Sequence, residues 1–415
     1  MQRTIVIGDG AGAQRAAALE AAHGRSVTLL STAPITGLLL PEGRGTWVKD
    51  GGESGRKLYG SVQKVELERS VLFRGKRWKL PLKTEQLARL LPPGKLVGTG
   101  LSWAKAKAAV ELAELIGGGH EQRSYAHWVQ RRFGSEALQN ILRSWCTRRF
   151  GDPEEVSANV ARWVHGQPYD TLYAPARPLH LEGVEQHEAR IERIHNGKVY
   201  SSAGSFEGRI LVDVPPIQVL KWLDEDPESA ASQDARKMTA RHRVTVCLRG
   251  SQELAFESQV LDDSVRFYRI IRPGLLPGFE ALTDRLCVHY ALDAGTVGMP
   301  DGALVQETVE GLGRLGIQAD EKGAIVRWEE HYQPLWTGVH QARYRNFLLY
   351  LEEKGVIPIG RAGTHCYADP SEELGWLDVV LAPERKSSLR ACFRDSLEPG
   401  VEDPPRAHLR HLMER

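Results

Sequence analysis

Thr4-Ile5-Val6-Ile7-Gly8-Asp9-Gly10-Ala11-Gly12-Ala13 decides how the chain is read. The first four residues are β-branched and apolar, the composition of a buried parallel strand. Gln14 to His23 is alanine-rich and strongly helix-forming, and Gly24 stands where a helix ends. Ser26-Val27-Thr28-Leu29-Leu30 then reads as a second strand. Strand, glycine turn, helix and strand make a βαβ unit whose turn has the form G-x-G-x-x-A. Gly8 permits the tight turn, Gly10 lets the backbone approach a diphosphate, and Gly12 opens the helix. Ala13 replaces the third glycine at the helix–strand contact. The helix N-terminus offers free N–H groups and a partial positive charge, so the unit is expected to bind a dinucleotide. The residue closing the second strand is Ser31, where an acid is expected to hold the ribose hydroxyls. Serine makes one hydrogen bond there but no charge-assisted pair.

The rest of the chain sets bounds on this unit. At 415 residues, two or three lobes are expected. Lys+Arg of 54 against Asp+Glu of 53 leaves a net charge of +1, so no global field draws in nucleic acid. With 41% hydrophobic and 26% charged residues the chain is expected to fold. The longest apolar run, Leu38–Leu40, lies between Pro34 and Pro41, so no membrane span is expected. No secretory leader is read at the N-terminus. Five scattered cysteines (Cys146, Cys247, Cys287, Cys366 and Cys392) suit a reducing cytoplasm better than a disulfide framework.

Residues 32–60 read as a glycine-rich loop region. Val71–Leu82 alternates apolar and basic residues around Gly75 like a hairpin. Thr84–Leu91 is expected as a short helix stopped by Pro92-Pro93. Residues 101–117 and 124–149 have helical period; in the second, Ser124 caps and Trp128, Val129, Phe133, Leu138, Ile141, Leu142 and Trp145 form the buried stripe. From Val184 the chain turns to strands, with Asn196-Gly197 as a hairpin turn. Ile210–Val214 is expected as a buried strand ended by Pro215-Pro216. Val244–Leu248, Ser264–Ile271 and Leu286–Tyr290 are expected as strands of a second sheet. Ile357-Pro358-Ile359 enters a glycine-containing loop, with a helix starting near Pro370.

Taken together, these segments resemble the flavin-dependent amine oxidase superfamily, on the branch holding protoporphyrinogen oxidases, phytoene desaturases and UDP-galactopyranose mutases. The resemblance rests on Gly8–Ala22, Phe73–Lys83 and Tyr125–Gly134. It continues through Phe150–Ala158, Ile210–Pro216, His331-Tyr332-Gln333-Pro334 and Gly360-Arg361-Ala362-Gly363 to Leu374, spanning about residues 4–380. It implies an α/β fold: a Rossmann-like FAD-binding domain of GR2 type with interleaved helical and antiparallel-sheet substrate domains. The nucleotide domain would comprise 1–60, 184–225 and 355–385, the helical lobe 61–183, the sheet lobe 226–354, and a tail 386–415. It implies FAD held by Gly8, Gly10, Gly12, Ala13, Ser31, Val184, Gly360, Arg361, Asp369 and Ser371. Candidate substrate-side residues are Tyr332, Trp336 and Arg343, with His340, Tyr344, His365 and Tyr367 in the same segments. The chain departs from the family at Ser31, at the arginine loop not recognisable in Thr32–Arg44, and after Pro175, where a glycine pair and helix are missing.

No Ser-His-Asp order, H-E-x-x-H, P-loop or C-x-x-C is present, and no metal site is expected. The leading expectation is an FAD-dependent oxidoreductase passing a hydride from a small metabolite to flavin, in biosynthesis of the secondary-metabolite kind. The alternatives are a flavin-free partner subunit of the same fold and a non-redox UDP-sugar-mutase-like flavoenzyme. Oligomeric state leaves no mark in the sequence.

Overall fold

The computed structural model describes residues 3–31, 62–66, 68–80, 97–98, 100–102, 104–105, 108, 124–158, 171–175, 181–250, 253–275, 279–293, 296, 298–335, 340–365, 377 and 380–381. In chain order its elements are β1 (Thr4–Ile7), α1 (Ala11–Ala22), β2 (Val27–Ser31), β3 (Val62–Glu66), β4 (Arg69–Phe73) and β5 (Lys76–Lys79). Next come α2 (Tyr125–Phe133), α3 (Ser135–Ala137), a π turn (Leu138–Leu142), α4 (Arg143–Arg149), β6 (Thr171–Pro175), β7 (Val184–Glu188), β8 (Ile191–His195), β9 (Lys198–Ser201), β10 (Gly204–Glu207) and β11 (Arg209–Val212). The remainder is α5 (Pro216–Trp222), α6 (Ala230–Lys237), β12 (Ala240–Gly250), β13 (Glu257–Val260), β14 (Arg269–Ile271), β15 (Arg285–Leu292), α7 (Asp301–Arg314), β16 (Ala319–Pro334), α8 (His340–Glu353), β17 (Val356–Pro358) and α9 (Gly360–Thr364). The chain divides into two compact units, Met1–Val65 with Thr171–Thr239 and Val339–Arg415, and Glu66–Asp170 with Ala240–Gly338.

The first unit is built on a five-stranded sheet, β17-β11-β1-β2-β7, all of whose pairings are parallel. Parallel strands covered on both faces need apolar side chains throughout. Ile5, Val6, Ile7, Leu30, Ile210, Leu211 and Val212 are all fully buried, each contributing roughly 1.5–3 kcal/mol of burial. Helix α1 packs on this sheet through Ala13, Ala16, Ala17 and Leu19. A buried polar clasp joins it to β1: Thr4 Oγ1 donates to Glu20 Oε2 at 2.6 Å, and Arg25 donates to both Glu20 oxygens at 2.7 and 2.9 Å. Gly24 takes φ +74 just past the helix, and its N–H bonds the Ala21 carbonyl at 2.8 Å. Chain order runs outward from β1 in both directions, through β2 and β7 on one side and β11 and β17 on the other. The carboxyl ends of β1 and β11 therefore form a topological switch point, where open α/β sheets bind ligands.

The second unit contains α2–α4 and a seven-stranded sheet, β16-β12-β15-β14-β13-β4-β5, antiparallel except for the β13–β4 pair. One face of its central strands packs against α7. Val244, Val246, Leu248, Leu286, Val288 and Tyr290 meet Leu304 and Leu312 there, and Tyr290 shares a 2.8 Å hydrogen bond with Thr308.

Several local expectations are confirmed and others corrected. The hairpins form at Arg74-Gly75 (φ +52, +68) and Asn196-Gly197 (φ +48, +73), the left-handed pairs that two-residue turns require. Ser124 caps α2 by accepting from the His127 N–H at 3.2 Å. The expected 124–149 helix is broken at Gly134 (φ +85), whose missing side chain admits Ser102, and again by the π turn. Phe133 of the expected stripe is exposed, while Trp128, Val129, Leu138 and Trp145 are buried. Only Arg269–Ile271 of Ser264–Ile271 is strand. The glycine-containing segment after Ile359 is helical from Gly360 to Thr364 rather than a loop. The helices expected at Thr84–Leu91 and near Pro370 lie outside the described residues, as does most of 101–117. No helix among the described residues is long and apolar enough to cross a membrane.

Candidate functional site

The switch point holds Gly8-Asp9-Gly10 from β1 and Asp213 from β11. Strand pairing fixes the backbone of Asp213 on both sides. Its N–H donates to the Ile7 carbonyl at 2.8 Å, and the Ile359 N–H donates to the preceding Val212 carbonyl at 2.8 Å. So anchored, Asp213 turns its carboxylate onto the start of α1, where Oδ2 accepts the Ala13 N–H at 3.0 Å. That N–H is one of the helix's unpaired first-turn donors, and a negative charge there also meets the positive end of the helix dipole.

The glycines surround this carboxylate. Gly10 has φ −71 and ψ 166, an extended conformation open to any residue, so only space demands a glycine there. The space where its Cβ would project is filled by Asp213 Oδ2. A Cβ on Gly12 would lie 2.8 Å from the same oxygen and also meet the Gly360 backbone. Gly360, at φ +62, faces the Asp213 carboxyl group from the other side. Gly363 lies against the Val212 carbonyl, and Gly8 against the Asp213 carbonyl. Gly10 and Gly12 thus meet Gly360, about 350 residues away in sequence, around the Asp213 carboxyl group.

Ser31 ends β2 and is buried. Its hydroxyl donates to Asp9 Oδ1, so a carboxylate does stand at the end of β2, supplied by the turn after β1 rather than by position 31. Ala13 is fully buried at the helix–sheet contact. Val184 pairs with Val27 at the opposite end of β7, and it is Glu188 that pairs with Ser31; Val184 is not brought to the glycine turn. The backbone of Arg361 lies in α9 beside Gly360, while Asp369, Ser371 and Tyr367 lie outside the described residues. Tyr332 is in β16, Arg343, His340 and Tyr344 are in α8, and Trp336 lies outside the described residues. His365 follows α9, is buried and takes φ +48.

Sequence reasoning missed Asp213 and Asp9, and also a buried charged face in the second unit. On the side of the sheet away from α7, Arg69 donates to Glu257 at 2.9 Å, with Arg269 3.7 Å from the same carboxylate, and Arg243 pairs with Glu329. Burial pushes the Glu257 carboxyl up, but the Arg69 and Arg269 cations outweigh it and hold it at about 2. His289 shares a 3.3 Å contact with Arg269 through Nδ1. Burial, reinforced by Arg269, Arg243 and Arg149, drives its pKa well below the usual histidine range, leaving the ring neutral. Arg149 of α4 stacks on Trp145, Phe150 and Tyr268 at 4.8–5.2 Å from the ring centroids. Beside this cluster, Cys247 and Cys287 oppose each other in register with their sulfurs 3.1 Å apart, both as free thiols. Among the described residues no group of three metal-ligating side chains occurs.

No protein-family model matches the chain, and no curated protein matches it. Solved structures do. A reduced UDP-galactopyranose mutase superposes over 98% of this chain and 99% of its own, with TM-score 0.67 and 13% identity. A candidate protoporphyrinogen oxidase from Exiguobacterium sp. 255-15 covers 90% and 97%, at TM-score 0.59 and 14% identity. A fatty acid isomerase from P. acnes that produces CLA covers 92% and 98%, at TM-score 0.59 and 11% identity. The chain shares the fold of these solved structures, a mixed α/β fold with a parallel five-stranded sheet in one unit and a largely antiparallel sheet in the other.

Proposed function

We propose that this chain is an FAD-dependent oxidoreductase of amine oxidase/protoporphyrinogen oxidase type, taking a hydride from a small metabolite in a biosynthetic reaction. The observation that carries the reading is the glycine cradle at the switch point, where an anionic oxygen is bound 3.0 Å from the Ala13 N–H. A carboxylate oxygen held by that N–H stands in for a phosphate oxygen, so the donor chemistry suits a diphosphate. Gly8, Gly10, Gly12 and Ala13 would carry the diphosphate from α1, and Gly360 and Arg361 would approach it from α9, with Asp369 and Ser371 beyond them. Asp9, steadied by Ser31, would accept from the adenosine ribose hydroxyls in place of the acid missing at position 31.

When bound, the flavin supplies the electron-pair acceptor. The residues of the chain bind, orient and exclude water. Tyr332, Trp336 and Arg343 are the proposed substrate-side residues.

Two observations favour other readings. The donor geometry of the cradle suits a diphosphate, but the bulk and charge of Asp213, which a diphosphate would have to displace, favour a flavin-free partner subunit of the same fold. The near-complete superposition on a UDP-galactopyranose mutase favours a non-redox flavoenzyme. Titrating the purified protein with FAD and separating it from free ligand tests the proposal. Protein-bound flavin absorption supports it, whereas protein that stays colourless at saturating FAD selects the partner-subunit reading. Reduction of the bound flavin by candidate metabolites, with reoxidation by an electron acceptor, separates redox from non-redox chemistry.

A further inference from the structure

We infer that the Asp213 carboxylate occupies the diphosphate position of the cradle, so that a dinucleotide enters only by displacing it. This rests on the reading of the cradle as a flavin site. Two demands on a fingerprint glycine have to be separated. A glycine is needed where a ligand approaches the backbone, and equally where another part of the protein does. At Gly10 the occupant is identifiable, because the missing side chain projects directly onto Asp213 Oδ2. The same carboxyl group stands against Gly12 and Gly360, the other two close-approach positions of the two motifs. The Ala13 N–H is already engaged by it at 3.0 Å. Asp213 is buried, 6% exposed; its N–H is bonded to the Ile7 carbonyl of β1, and the preceding Val212 carbonyl accepts from the Ile359 N–H, so its backbone is held in place. Only rotation about its side-chain bonds clears the slot.

Charge works in the same direction as bulk. A diphosphate placed beside the carboxylate would be repelled at close range, with little water to screen the pair. The dinucleotide must therefore both take over the Ala13 N–H and drive an aspartate out of a favourable helix N-terminal position. Asp9, held by Ser31 in the same turn, adds a second negative charge close by. The protein is consequently a weak binder of FAD, and its affinity is set by Asp213 rather than by loss of the cradle.

The experiment compares wild type with Asp213→Ala by fluorescence titration with FAD, ADP and riboflavin, after circular dichroism has established that both fold. Asp213→Ala is expected to bind FAD and ADP at least tenfold more tightly and to leave riboflavin, which lacks the diphosphate, unchanged. Asp213→Asn keeps the size and an acceptor oxygen but removes the charge; it covers the case in which alanine destabilises the sheet and is expected to bind FAD more tightly than wild type. Equal FAD affinity in wild type and both variants overturns the inference while leaving the flavin reading intact. An equal gain for riboflavin overturns it too, since that would report general loosening. No FAD binding by any folded variant overturns both the inference and the flavin reading.

Discussion

The Oδ2 atom of Asp213 and the amide nitrogen of Ala13 lie 3.0 Å apart across 200 residues of sequence, joining the end of β11 to the first turn of α1. This contact and the glycines around it form one unit, so substitutions there should not act independently. Gly10→Ala places a methyl group on the carboxylate and is expected to cost about 1–2 kcal/mol by pushing it off the helix N-terminus. In an Asp213→Ala background the same change should be nearly neutral. Gly12→Ala is the control: its methyl also meets the Gly360 backbone, so Asp213→Ala should not rescue it. Urea denaturation of the four-member cycle measures the coupling, and additive costs for Gly10 and Asp213 would contradict the packing described.

The clasp on the other side of α1 should be costly to break. Glu20 is fully buried and bonded to Thr4 and Arg25. Glu20→Ala is expected to destabilise the protein by about 3 kcal/mol, because it leaves Arg25 without its carboxylate and Thr4 without an acceptor. Glu20→Gln keeps the Thr4 bond and should cost less. Thermal unfolding of the two variants checks the order, and a Gln variant as unstable as Ala would count against it.

Acid should weaken the second unit in two stages. His289 has its folded pKa pushed well below its unfolded value, so the unfolded chain binds the extra proton first and stability starts to fall as pH drops below about 6.5. Glu257 is depressed to about 2; its contribution is present above the unfolded carboxylate range and is lost as pH falls through it towards 2. A shift of that size corresponds to about 3 kcal/mol. Denaturant midpoints measured from pH 7 to pH 3 should show both stages. Glu257→Gln should remove the lower one, and His289→Gln the upper one.

Cys247 and Cys287 should close a disulfide under a thiol oxidant such as diamide, each thiol giving up one hydrogen to the reagent. Peptide mapping without reduction should then recover a linked peptide containing both residues. Recovery of both as separately alkylated free thiols after full diamide treatment would refute the 3.1 Å juxtaposition.

The sequence made the β1–α1–β2 unit legible because its signals are local: a β-branched run, glycines at fixed offsets and an alanine-rich helix all lie within thirty residues. Ile210–Val214 was equally readable as a strand. The role of Asp213 was not, because a residue at a strand end acquires its neighbours only when β11 pairs beside β1. The same holds for Asp9, an unremarkable turn residue until Ser31 folds against it. In the second unit, Arg243, Thr245 and Cys247 alternate with Val244, Val246 and Leu248, a pattern that ordinarily marks one wet face. Here both faces are buried, which no period-two pattern discloses. The helix at Gly360–Thr364 was hidden by its two glycines, which read as loop until Val212 and Asp213 are seen to need that space.

The fixed backbone of Asp213 has a kinetic and thermodynamic corollary. A carboxylate tethered inside the slot competes at a constant effective concentration that dilution cannot lower, unlike a dissolved anion. The apparent dissociation constant of any dinucleotide equals the intrinsic one divided by the fraction of molecules in which the slot stands open. An open fraction of about one in a hundred would weaken binding about a hundredfold with every ligand-facing atom still in place. Whatever biases the Asp213 rotamer, a neighbouring charge or a partner surface, would therefore tune cofactor occupancy without touching the cofactor.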